Sequence, residues 1–532
     1  MTSLQDYLEH LAPLILAVRG DPATPIAGAA ADSRAICPGW LFVAIPGHHD
    51  DGAKYLHQAL AAGAVAVVAI TELELPADVA FIRVSDAYAA AGRVAEVMPG
   101  QPARDLCLLG VTGTNGKTTT AYLLHAILAA ADRRAGMLGT VVYDTGGPAP
   151  HEADRTTPAP FAVQALLAEM RANGLHAAVL EVSSHSLAQR RLGTARFAGA
   201  IFTNLTGDHL DYHRTMDDYF AAKQLLFTES LLPGAPAVIN TDDQWGARLA
   251  TVLTALPSAA APHVIPFGRD AAARAGAHLC ELRTGADGTT VTLEFAAGVL
   301  PGDAAPRRLE LRSPLVGVFN AYNLTGAAVL ALATGVPAVA VRGALATCTG
   351  APGRLEPVRA PAGWTAFVDY AHTDDALDNV LRTLRDLHPR RLIVLFGCGG
   401  DRDRTKRPRM GAVAARYADL IILTSDNPRT EEPDAILRDI QAGLPAGTPC
   451  QVLADRRAAI RAAVAAAGPG DFLLVAGKGH EPYQECHGLK THFNDREELE
   501  ACGGTAPTPL PRGPVPLETP FKNAVTQAFL KS

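Results

Sequence analysis

The pattern of apolar and polar residues along the chain predicts an α/β protein. Short apolar runs alternate with longer segments in which apolar residues recur at helical spacing. This alternation is typical of mostly parallel sheets covered by helices. The apolar runs that we interpret as strands are 40–45, 64–70, 106–111, 177–182, 199–203, 237–240, 366–369, 392–396, 420–424 and 472–476.

Breaks in this pattern divide the chain into three domains. Segments rich in proline and glycine, at 98–102 and near 349–353, mark the two boundaries. We expect the domains to be a small N-terminal α/β domain at 1–100, a central domain with a mostly parallel sheet at 101–348, and a C-terminal α/β domain at 349–500.

Two segments depart from the α/β pattern. Residues 254–312 are polar and glycine-rich and have a short period, which predicts a β-rich insertion or edge. Residues 501–532 are rich in proline and glycine, so we expect a tail or a linker to a further domain. Within it, 521–530 has the pattern of a short amphipathic helix.

Composition narrows the functional class. The 532 residues carry a formal net charge of -7, which disfavours a nucleic-acid binder or a protein attracted to anionic membranes. Apolar runs stop well short of the ~18 residues of a transmembrane helix, and the N-terminus lacks a signal-peptide pattern. Eight cysteines are scattered without CxxC spacing, which favours reduced thiols. We therefore expect a cytoplasmic protein.

The segment GVTGTNGKTTT is the strongest candidate for chemistry, because it joins a predicted strand to a predicted helix at 118–131. In such a junction the loop N–H groups and the helix N-terminus face a phosphate, Lys117 adds a positive charge, and a hydroxyl can hold Mg²⁺. The strict pattern has a glycine five residues before Gly116, where this chain has Val111. The loop therefore predicts a nucleotide site of a particular subfamily.

Polar residues also follow the next predicted strands, at the edge where α/β sheets bind ligands. The run 177–182 contains Glu181 near its end, a position that favours Mg²⁺ binding. The loop 203–213 holds two His and two Asp; its spacing is not a zinc spacing, and a role in a magnesium or phosphate site fits better. On residue type alone, Lys223 is an ordinary lysine on a helix surface.

Three loops of the C-terminal domain describe a site for a zwitterion. They read GCGGDRDR, SDNPR and GKGHE, and each follows a predicted strand. Arg402 and Arg429 suit forked binding of a carboxylate or phosphate, and Glu481 suits an ammonium.

Taken in order, these motifs resemble those of the Mur ligases, the ATP-dependent amide-bond enzymes of peptidoglycan precursor synthesis. The similarity covers the chain from Asp32 to Glu497 and also includes TTP at Thr156, NAYN at Asn320, GRLE at Gly353 and DYAHT, while the displaced glycine is usual for the family. The resemblance implies an N-terminal domain that binds UDP, a central ATPase domain and a C-terminal Rossmann-like domain that supplies an amino acid.

The resemblance also implies residue roles. ATP would be bound by Gly113, Thr114, Asn115, Gly116, Lys117, Thr118, Thr119, Asn320, Arg354, Asp369 and His372. Mg²⁺ would be held by Thr118, Glu181, His209 and Lys223, the last as a carbamate, and catalysis would depend on Lys117, Lys223, His209 and Glu181. The UDP-linked substrate would contact Ser33, Thr156, Thr157, Ser183, Gln189 and Arg191. The amino acid would contact Arg402, Asp426, Asn427, Pro428, Arg429, Gly477 and Glu481.

The DNPR loop is similar to that of diaminopimelate-adding members. Diaminopimelate has a second carboxylate that lysine lacks, and the forked guanidinium of Arg429 can bind it. The chain departs from the family pattern at two positions. Arg155 precedes the TT pair where Asn is common, and Asp374 follows DYAHT where Pro is usual. These departures affect the expected local geometry and not the family.

We therefore expect a monomeric ligase that adds meso-2,6-diaminopimelate to the D-glutamate of UDP-N-acetylmuramoyl-L-alanyl-D-glutamate, through an acyl phosphate, with ATP and Mg²⁺. The alternatives are a ligase that adds L-lysine, a ligase like folylpolyglutamate synthetase, and a nucleotide-binding paralogue without catalysis.

Overall fold

The computed structural model describes residues 2–47 and 51–505. The chain divides into two compact units. The first consists of the residues up to Gly276 with Val299–Pro301 and Val329–Val336, and the second of Ala277–Gly298, Gly302–Ala328 and the residues from Pro337 onward. The helix predicted at 521–530, and the tail from 506, lie outside the described residues.

The first unit alternates strands and helices, as the sequence predicts. Its strands are β1 (Ile15–Arg19), β2 (Gly28–Ala30), β3 (Trp40–Val43), β4 (Ala64–Ala69), β5 (Ala80–Val84), β6 (Cys107–Thr112), β7 (Ala135–Leu138), β8 (Val142–Asp144), β9 (His151–Glu152), β10 (Ala177–Glu181), β11 (Phe197–Phe202), β12 (Pro236–Asn240) and β13 (His263–Gly268). Its helices are α1 (Leu4–Leu11), α2 (Leu56–Ala61), α3 (Ala87–Val97), α4 (Lys117–Ala130), α5 (Pro160–Ala172), α6 (Ser184–Ala188), α7 (Leu210–His213), α8 (Met216–Leu225) and α9 (Gln244–Thr254).

Two sheets organise this unit. The smaller has the order β1-β5-β4-β3-β2, with only β1 antiparallel to its neighbour. In the larger, β13-β12-β11-β6-β10-β7 are parallel, and β8 and β9 continue the sheet antiparallel. The central strands are buried on both faces, which is why they read as unbroken apolar runs. Their carboxyl ends share one edge, so the loops that follow β6, β10 and β11 are neighbours.

The second unit contains a further α/β sheet and a β meander. Its strands are β14 (Ala277–Gly285), β15 (Gly288–Phe295), β16 (Arg307–Ser313), β17 (Glu356–Arg359), β18 (Thr365–Asp369), β19 (Leu392–Phe396), β20 (Leu420–Leu423), β21 (Cys450–Val452), β22 (Phe472–Ala476), β23 (Tyr483–Cys486) and β24 (Leu489–His492). Its helices are α10 (Val318–Ala333, of which the residues from Val329 belong to the first unit), α11 (Ala338–Leu345), α12 (Asp374–Asp386), α13 (Lys406–Tyr417), α14 (Pro433–Gln441), α15 (Arg456–Ala466) and α16 (Asp495–Ala501).

The main sheet of this unit has the order β17-β18-β22-β19-β20-β21 and is parallel except for β17. The strands β14, β15 and β16 pair antiparallel, which confirms β-rich structure within 254–312. Thr505 pairs with Arg359, so the backbone remains paired beyond α16. The α/β class and the mostly parallel central sheet are thus confirmed. No helix in the described ranges has both the length and the apolar character needed to cross a bilayer.

A fully buried ion pair joins three parts of the second unit. Arg456, the first residue of α15, donates to Asp495 at 2.7 Å through both Nε and Nη2, and neither side chain is exposed. The same guanidinium donates to the carbonyl oxygens of Ala476 at 3.0 Å and Ser425 at 3.3 Å. It therefore fixes the ends of β20 and β22, where two of the predicted substrate loops begin.

We expect Arg456→Met to destabilise the protein by about 3–5 kcal/mol, because it leaves the Asp495 carboxylate buried without a counter-charge. The double variant Arg456→Met with Asp495→Leu should recover much of this loss in denaturant unfolding. Arg457→Met is the control, since Arg457 is 49% exposed and its ion pair with Glu498 should contribute less than about 1 kcal/mol. A double variant as unstable as the sum of its single variants would contradict the interpretation.

Candidate functional site

The predicted nucleotide loop lies between β6 and α4 and is held against the loop that follows β11. Gly113 has φ of 147°, and a Cβ there would lie 1.9 Å from Thr203 Oγ1, so only glycine fits. Gly116 precedes α4 with φ of 85°. Thr114 N donates to the Asn204 carbonyl at 2.9 Å, which braces the loop. The N-terminus of α4 is thus open to an anion behind a rigid glycine turn.

Lys117 lies at the start of α4 and folds back over this loop. Its Nζ donates to the carbonyl oxygens of Gly113 at 3.0 Å and Thr114 at 2.9 Å. The ammonium is therefore held beside the turn where the phosphates of a nucleotide would lie. Asn115 is exposed in the same turn, and Thr119 is buried in the first turn of the helix.

A buried carboxylate lies beside the loop. Glu181, at the end of β10, is 1% exposed and its Oε2 accepts from Thr118 Oγ1 at 2.9 Å. Thr140 donates to this carboxylate through its backbone N–H at 2.8 Å and its hydroxyl at 3.1 Å, and the hydroxyl oxygen also lies 3.1 Å from Thr156 Oγ1. Hydroxyl and carboxylate oxygens are ligands that Mg²⁺ prefers. The pair Thr118 and Glu181 fits one Mg²⁺ whose other ligands are phosphate and water.

Zinc finds no support in this part of the chain. Within the described ranges no group of three or more His, Cys, Asp or Glu side chains is arranged to hold a metal ion. A magnesium ion, by contrast, keeps several waters and shares phosphate oxygens, so it needs few protein ligands.

Lys223 is not a surface lysine, and the interpretation from residue type alone is wrong. The α8 side chain is fully buried, and its Nζ donates to the Gly113 carbonyl at 2.7 Å and lies 4.7 Å from the centroid of the Tyr219 ring. Burial lowers the pKa of Lys223 well below its usual value, and the charge of Lys117 lowers it further, against a weaker opposite effect of Asp208. A neutral amine is therefore favoured beside the nucleotide loop.

A cluster of rings surrounds His209. His209 caps α7 with φ of 53° and lies edge-on to His185, with centroids 4.9 Å apart. His185 contacts Tyr212 at 4.2 Å, and His213 stacks on Tyr219 at 5.2 Å. Burial lowers the pKa of His185 and His209, and that of His213 to about 4. These imidazoles are therefore neutral near pH 7, the form that binds metals.

Four of the residues predicted to bind the UDP-linked substrate form one hydrogen-bonded chain next to Glu181. Thr157 Oγ1 donates to the Glu181 carbonyl at 2.7 Å and accepts from Ser183 N at 3.1 Å. Arg191 donates to the Thr157 carbonyl at 2.8 Å and to Gln189 Oε1 at 2.7 Å. The guanidinium is thus aligned beside the metal candidates, where it can meet an anionic substrate.

Sequence reasoning missed a residue that supports these hydrogen-bonded side chains. Glu96 of α3 is 2% exposed and accepts from the Thr194 hydroxyl at 2.8 Å, which anchors the loop that carries Gln189 and Arg191. The feature of the sequence that could have indicated its role is a single acidic residue in an otherwise alanine-rich helix. Ser33, the remaining residue predicted to bind the UDP-linked substrate, follows β2 of the smaller sheet. Its hydroxyl donates to Gln58 Oε1 at 2.8 Å.

In the second unit, the predicted nucleotide residues surround the end of β18. Asp369 is buried and accepts from the backbone N–H groups of Leu355 at 2.7 Å and Ala371 at 2.8 Å. Burial raises its pKa, and the charge of Arg354 opposes this rise. Arg354 lies 5.2 Å from the Tyr370 ring centroid, and its buried Nε has no hydrogen-bond partner among the described residues. An anion would satisfy that N–H.

The other two predicted nucleotide residues of this unit differ in exposure. Asn320 is 1% exposed and donates to the Val316 carbonyl at 2.9 Å, while His372 is exposed, with Nδ1 2.8 Å from the Tyr370 carbonyl oxygen. Nearby, the unusual Asp374 opens α12, where a negative charge is favourable, and lies 3.3 Å from Arg409.

The predicted amino-acid residues meet at the ends of β20 and β22. Asn427 is 1% exposed and its Nδ2 donates to Glu481 Oε2 at 2.8 Å. Gly477 has φ of 110°, and a Cβ there would lie 2.4 Å from Asp426 Oδ2. Pro428 follows Asn427 and is also buried.

The two arginines of this set are placed differently. Arg429 has φ of 52° and donates to the Gly400 carbonyl at 2.8 Å, with its Nε 3.6 Å from Glu485 Oε2. It is partly buried, whereas Arg402 is exposed and donates to the Asp401 carbonyl at 3.2 Å. The geometry therefore favours Arg429 as the fixed anion-binding group.

A buried arginine that sequence reasoning missed fixes the glycine loop. Arg407 is fully buried and donates to Glu431 at 2.8 and 3.1 Å and to Asp439 at 2.8 Å. Its hydrogen bonds hold the pKa of Glu431 down at about 2, against the effect of burial. Glu431 in turn accepts from Asp401 N at 2.7 Å, which positions the loop that carries Arg402.

Comparison with known proteins supports one family. Models of the Mur ligase family match residues 25–97 (catalytic domain), 111–331 (middle domain) and 353–479 (glutamate ligase domain). The chain belongs to the Mur ligase family. The relatives of this Mur ligase include proteins named UDP-N-acetylmuramoyl-L-alanyl-D-glutamate--2,6-diaminopimelate ligase from Geobacter sulfurreducens and Synechococcus elongatus. The first is 44% identical and covers 93% of this chain and 98% of the relative; the second is 45% identical and covers 89% and 93%.

A solved structure agrees with the fold of this Mur ligase. A ligase of the same name superposes with a TM-score of 0.68 at 33% identity, covering 94% of this chain and 98% of that one. The three-domain α/β architecture expected from the sequence is thereby confirmed.

We expect Gly113→Ala to weaken nucleotide binding by tenfold or more, about 1.4 kcal/mol. The added methyl would collide with Thr203 Oγ1, and φ of 147° is strained for alanine. Titration with a fluorescent ATP analogue measures the effect. Gly207→Ala is the matched control, because a Cβ there meets nothing within 4 Å. Equal affinities of the two variants would contradict the assignment of this loop.

Proposed function

We propose that this Mur ligase joins meso-2,6-diaminopimelate to the D-glutamate γ-carboxylate of UDP-N-acetylmuramoyl-L-alanyl-D-glutamate, with ATP converted to ADP and phosphate. The reaction belongs to peptidoglycan synthesis and so to cell-wall biogenesis, cell shape and cell division. The observation that carries the proposal is the identity of 44% with a ligase of that name over 93% of the chain. The buried Thr118–Glu181 pair beside the glycine loop agrees with ATP-dependent chemistry.

The chemistry runs in two displacements. The D-glutamate γ-carboxylate attacks the γ-phosphorus of ATP, the bond to the ADP oxygen breaks, and an acyl phosphate forms. The neutral amine of diaminopimelate then attacks the acyl carbon, the nitrogen loses one proton, and inorganic phosphate leaves as the amide forms. The protein acts by positioning these groups and by neutralising charge.

Residues of the first unit serve the first displacement. The N–H groups of the Gly113 turn and the Lys117 ammonium hold the phosphates, and Thr118 and Glu181 hold Mg²⁺. Bound Mg²⁺ neutralises the charge that develops on the transferred phosphate. Arg191, fixed by Thr157, orients the carboxylate substrate.

Lys223 acts as a carbamate in this proposal. As an ammonium it would repel a cation, so the unmodified residue does not fit a metal site. Burial lowers its pKa and favours the neutral amine, which can add CO₂ and lose a proton to give a carbamate. That group is an oxygen ligand for a second Mg²⁺, together with the neutral imidazole of His209.

The second unit supplies the amino acid and contacts the nucleotide. Arg429 binds the carboxylate of diaminopimelate that lysine lacks, and Glu481 and Asp426 bind its ammonium. Arg354 and Asp369 serve the nucleotide with Asn320 and His372. We assign the UDP moiety to domain 1–100, ATP to 101–348 and the amino acid to 349–500, in a cytoplasmic monomer.

We expect Lys223→Ala to lower kcat by about a hundredfold or more, because a metal ligand is lost. Added acetate should restore part of the activity by placing a carboxylate in the vacated space. Labelling with ¹³C-bicarbonate should give a carbamate NMR signal in the wild type and not in the variant. Lys490→Ala, which removes an exposed lysine, is the control. Full activity in Lys223→Arg would contradict the carbamate.

We expect Arg429→Lys to raise KM for meso-diaminopimelate by about tenfold or more, since a single ammonium cannot replace the forked guanidinium. Phosphate release is measured with meso-diaminopimelate and with L-lysine. The ratio of kcat/KM for meso-diaminopimelate to kcat/KM for L-lysine should fall in this variant. Arg382→Lys is the control, because Arg382 is exposed on α12, and the ratio should stay unchanged there.

The same assay tests the alternatives. A wild-type chain that prefers L-lysine would be the lysine-adding ligase, and use of a folate substrate would indicate the folylpolyglutamate type. Phosphate release that does not depend on the amino acid would contradict the ligase proposal. Absence of ATP turnover would instead favour a nucleotide-binding paralogue without catalysis.

A further inference from the structure

A fully buried lysine lies directly beneath the amino-acid residues. Lys478 follows β22 in the GKGHE segment, and its side chain is 0% exposed. Its Nζ donates to Asn427 Oδ1 at 3.1 Å and to Glu481 Oε2 at 3.0 Å, and it lies 5.4 Å from the centroid of the Tyr483 ring. Burying a cation is costly unless it is paired and hydrogen-bonded, so these contacts account for its stability there.

The lysine fixes which way the Asn427 amide faces. Oδ1 accepts from Lys478 Nζ and from the backbone N–H of Glu485 at 2.9 Å. An amide turned by 180° would place its NH₂ against both donors. Nδ2 therefore faces Glu481, and donates to Oε2 at 2.8 Å.

The same contacts orient the Glu481 carboxylate. Oε2 takes both the Lys478 ammonium and the Asn427 amide, so a ligand ammonium would meet the carboxylate at Oε1. The Lys478 ammonium also places a positive charge 3.0 Å from Glu481 Oε2 inside the protein. Glu481 is 19% exposed, so it remains open to a ligand.

We propose that Lys478 is a positioning residue that sets the selectivity for a second amine on the incoming amino acid. Resting on the proposed function, it acts through Glu481 and Asn427 rather than by touching the substrate. The amine that forms the amide must be neutral when it attacks, whereas the second amine stays an ammonium. That ammonium is the group that the fixed Glu481 carboxylate recognises, and Arg429 holds the neighbouring carboxylate of the ligand.

The test compares two substrates in Lys478→Met. Meso-diaminopimelate has two amines, and 2-aminopimelate keeps both carboxylates and one amine but lacks the second. We expect the variant to raise KM for meso-diaminopimelate by about tenfold or more. The KM values for ATP and for the UDP-linked dipeptide should change less than about twofold, and the preference of kcat/KM for meso-diaminopimelate over 2-aminopimelate should shrink by about tenfold.

Lys490→Met is the matched control. Lys490 also lies over the Tyr483 ring, with its Nζ 4.1 Å from the ring centroid, but it is exposed and belongs to β24. The same substitution there should leave all KM values and the substrate preference unchanged. Thermal melting of the full chain checks that each variant is folded.

Lys478→Gln keeps a donor without the charge and serves if the methionine variant does not fold. The same selective rise in KM is expected. A folded variant with unchanged KM for meso-diaminopimelate, or one that loses equally with both amino acids, overturns the inference while the proposed function stands. A wild-type chain that does not turn over meso-diaminopimelate overturns the proposed function itself, and the inference with it.

Discussion

Two lysines share one carbonyl oxygen at the centre of the first unit. Lys117 Nζ lies 3.0 Å and Lys223 Nζ 2.7 Å from the oxygen of Gly113. Two like charges at such separations, one of them fully buried, are unfavourable without anions. The protein relieves part of this by favouring neutral Lys223. In the proposed function, the phosphates of ATP beside Lys117 and a carbamate on Lys223 would relieve the rest.

This constraint explains the arrangement around the loop. The turn must be glycine because Thr203, in the loop that follows β11, lies against it, and Lys223 of α8 reaches the carbonyl of the same glycine. Glu181 lies one strand away and is held by Thr118 and Thr140 rather than by a lysine. In the proposed function, that carboxylate would bind Mg²⁺ together with Thr118.

The fold and the nucleotide loop could be predicted from the sequence, because buried parallel strands are unbroken apolar runs and the loop is a continuous segment. The strand observed at Cys107–Thr112, for example, differs from the predicted run 106–111 by one residue at each end. Contacts between distant segments could not be predicted. Nothing local distinguishes Lys223 from an exposed helix lysine, and Thr140 reaches Glu181 only once β7 and β10 have paired. The motifs therefore predict candidate site residues, while the structure shows the burial and hydrogen bonds that hold those residues in place.

The second unit has a different electrostatic requirement, which it also meets with buried charged side chains. In the proposed function, the residues at the ends of β20 and β22 recognise a zwitterion, so cations and anions have to lie close together without neutralising one another. Buried cations limit this neutralisation because each one contacts a particular carboxylate oxygen. Arg407 donates to Glu431, and Lys478 donates to one oxygen of Glu481. Arg456 holds the strand ends on which these groups stand. In the proposed site, Arg429 and the second oxygen of Glu481 are the groups that would face the ligand. Their fixed positions would let a small site discriminate between amino acids of similar length.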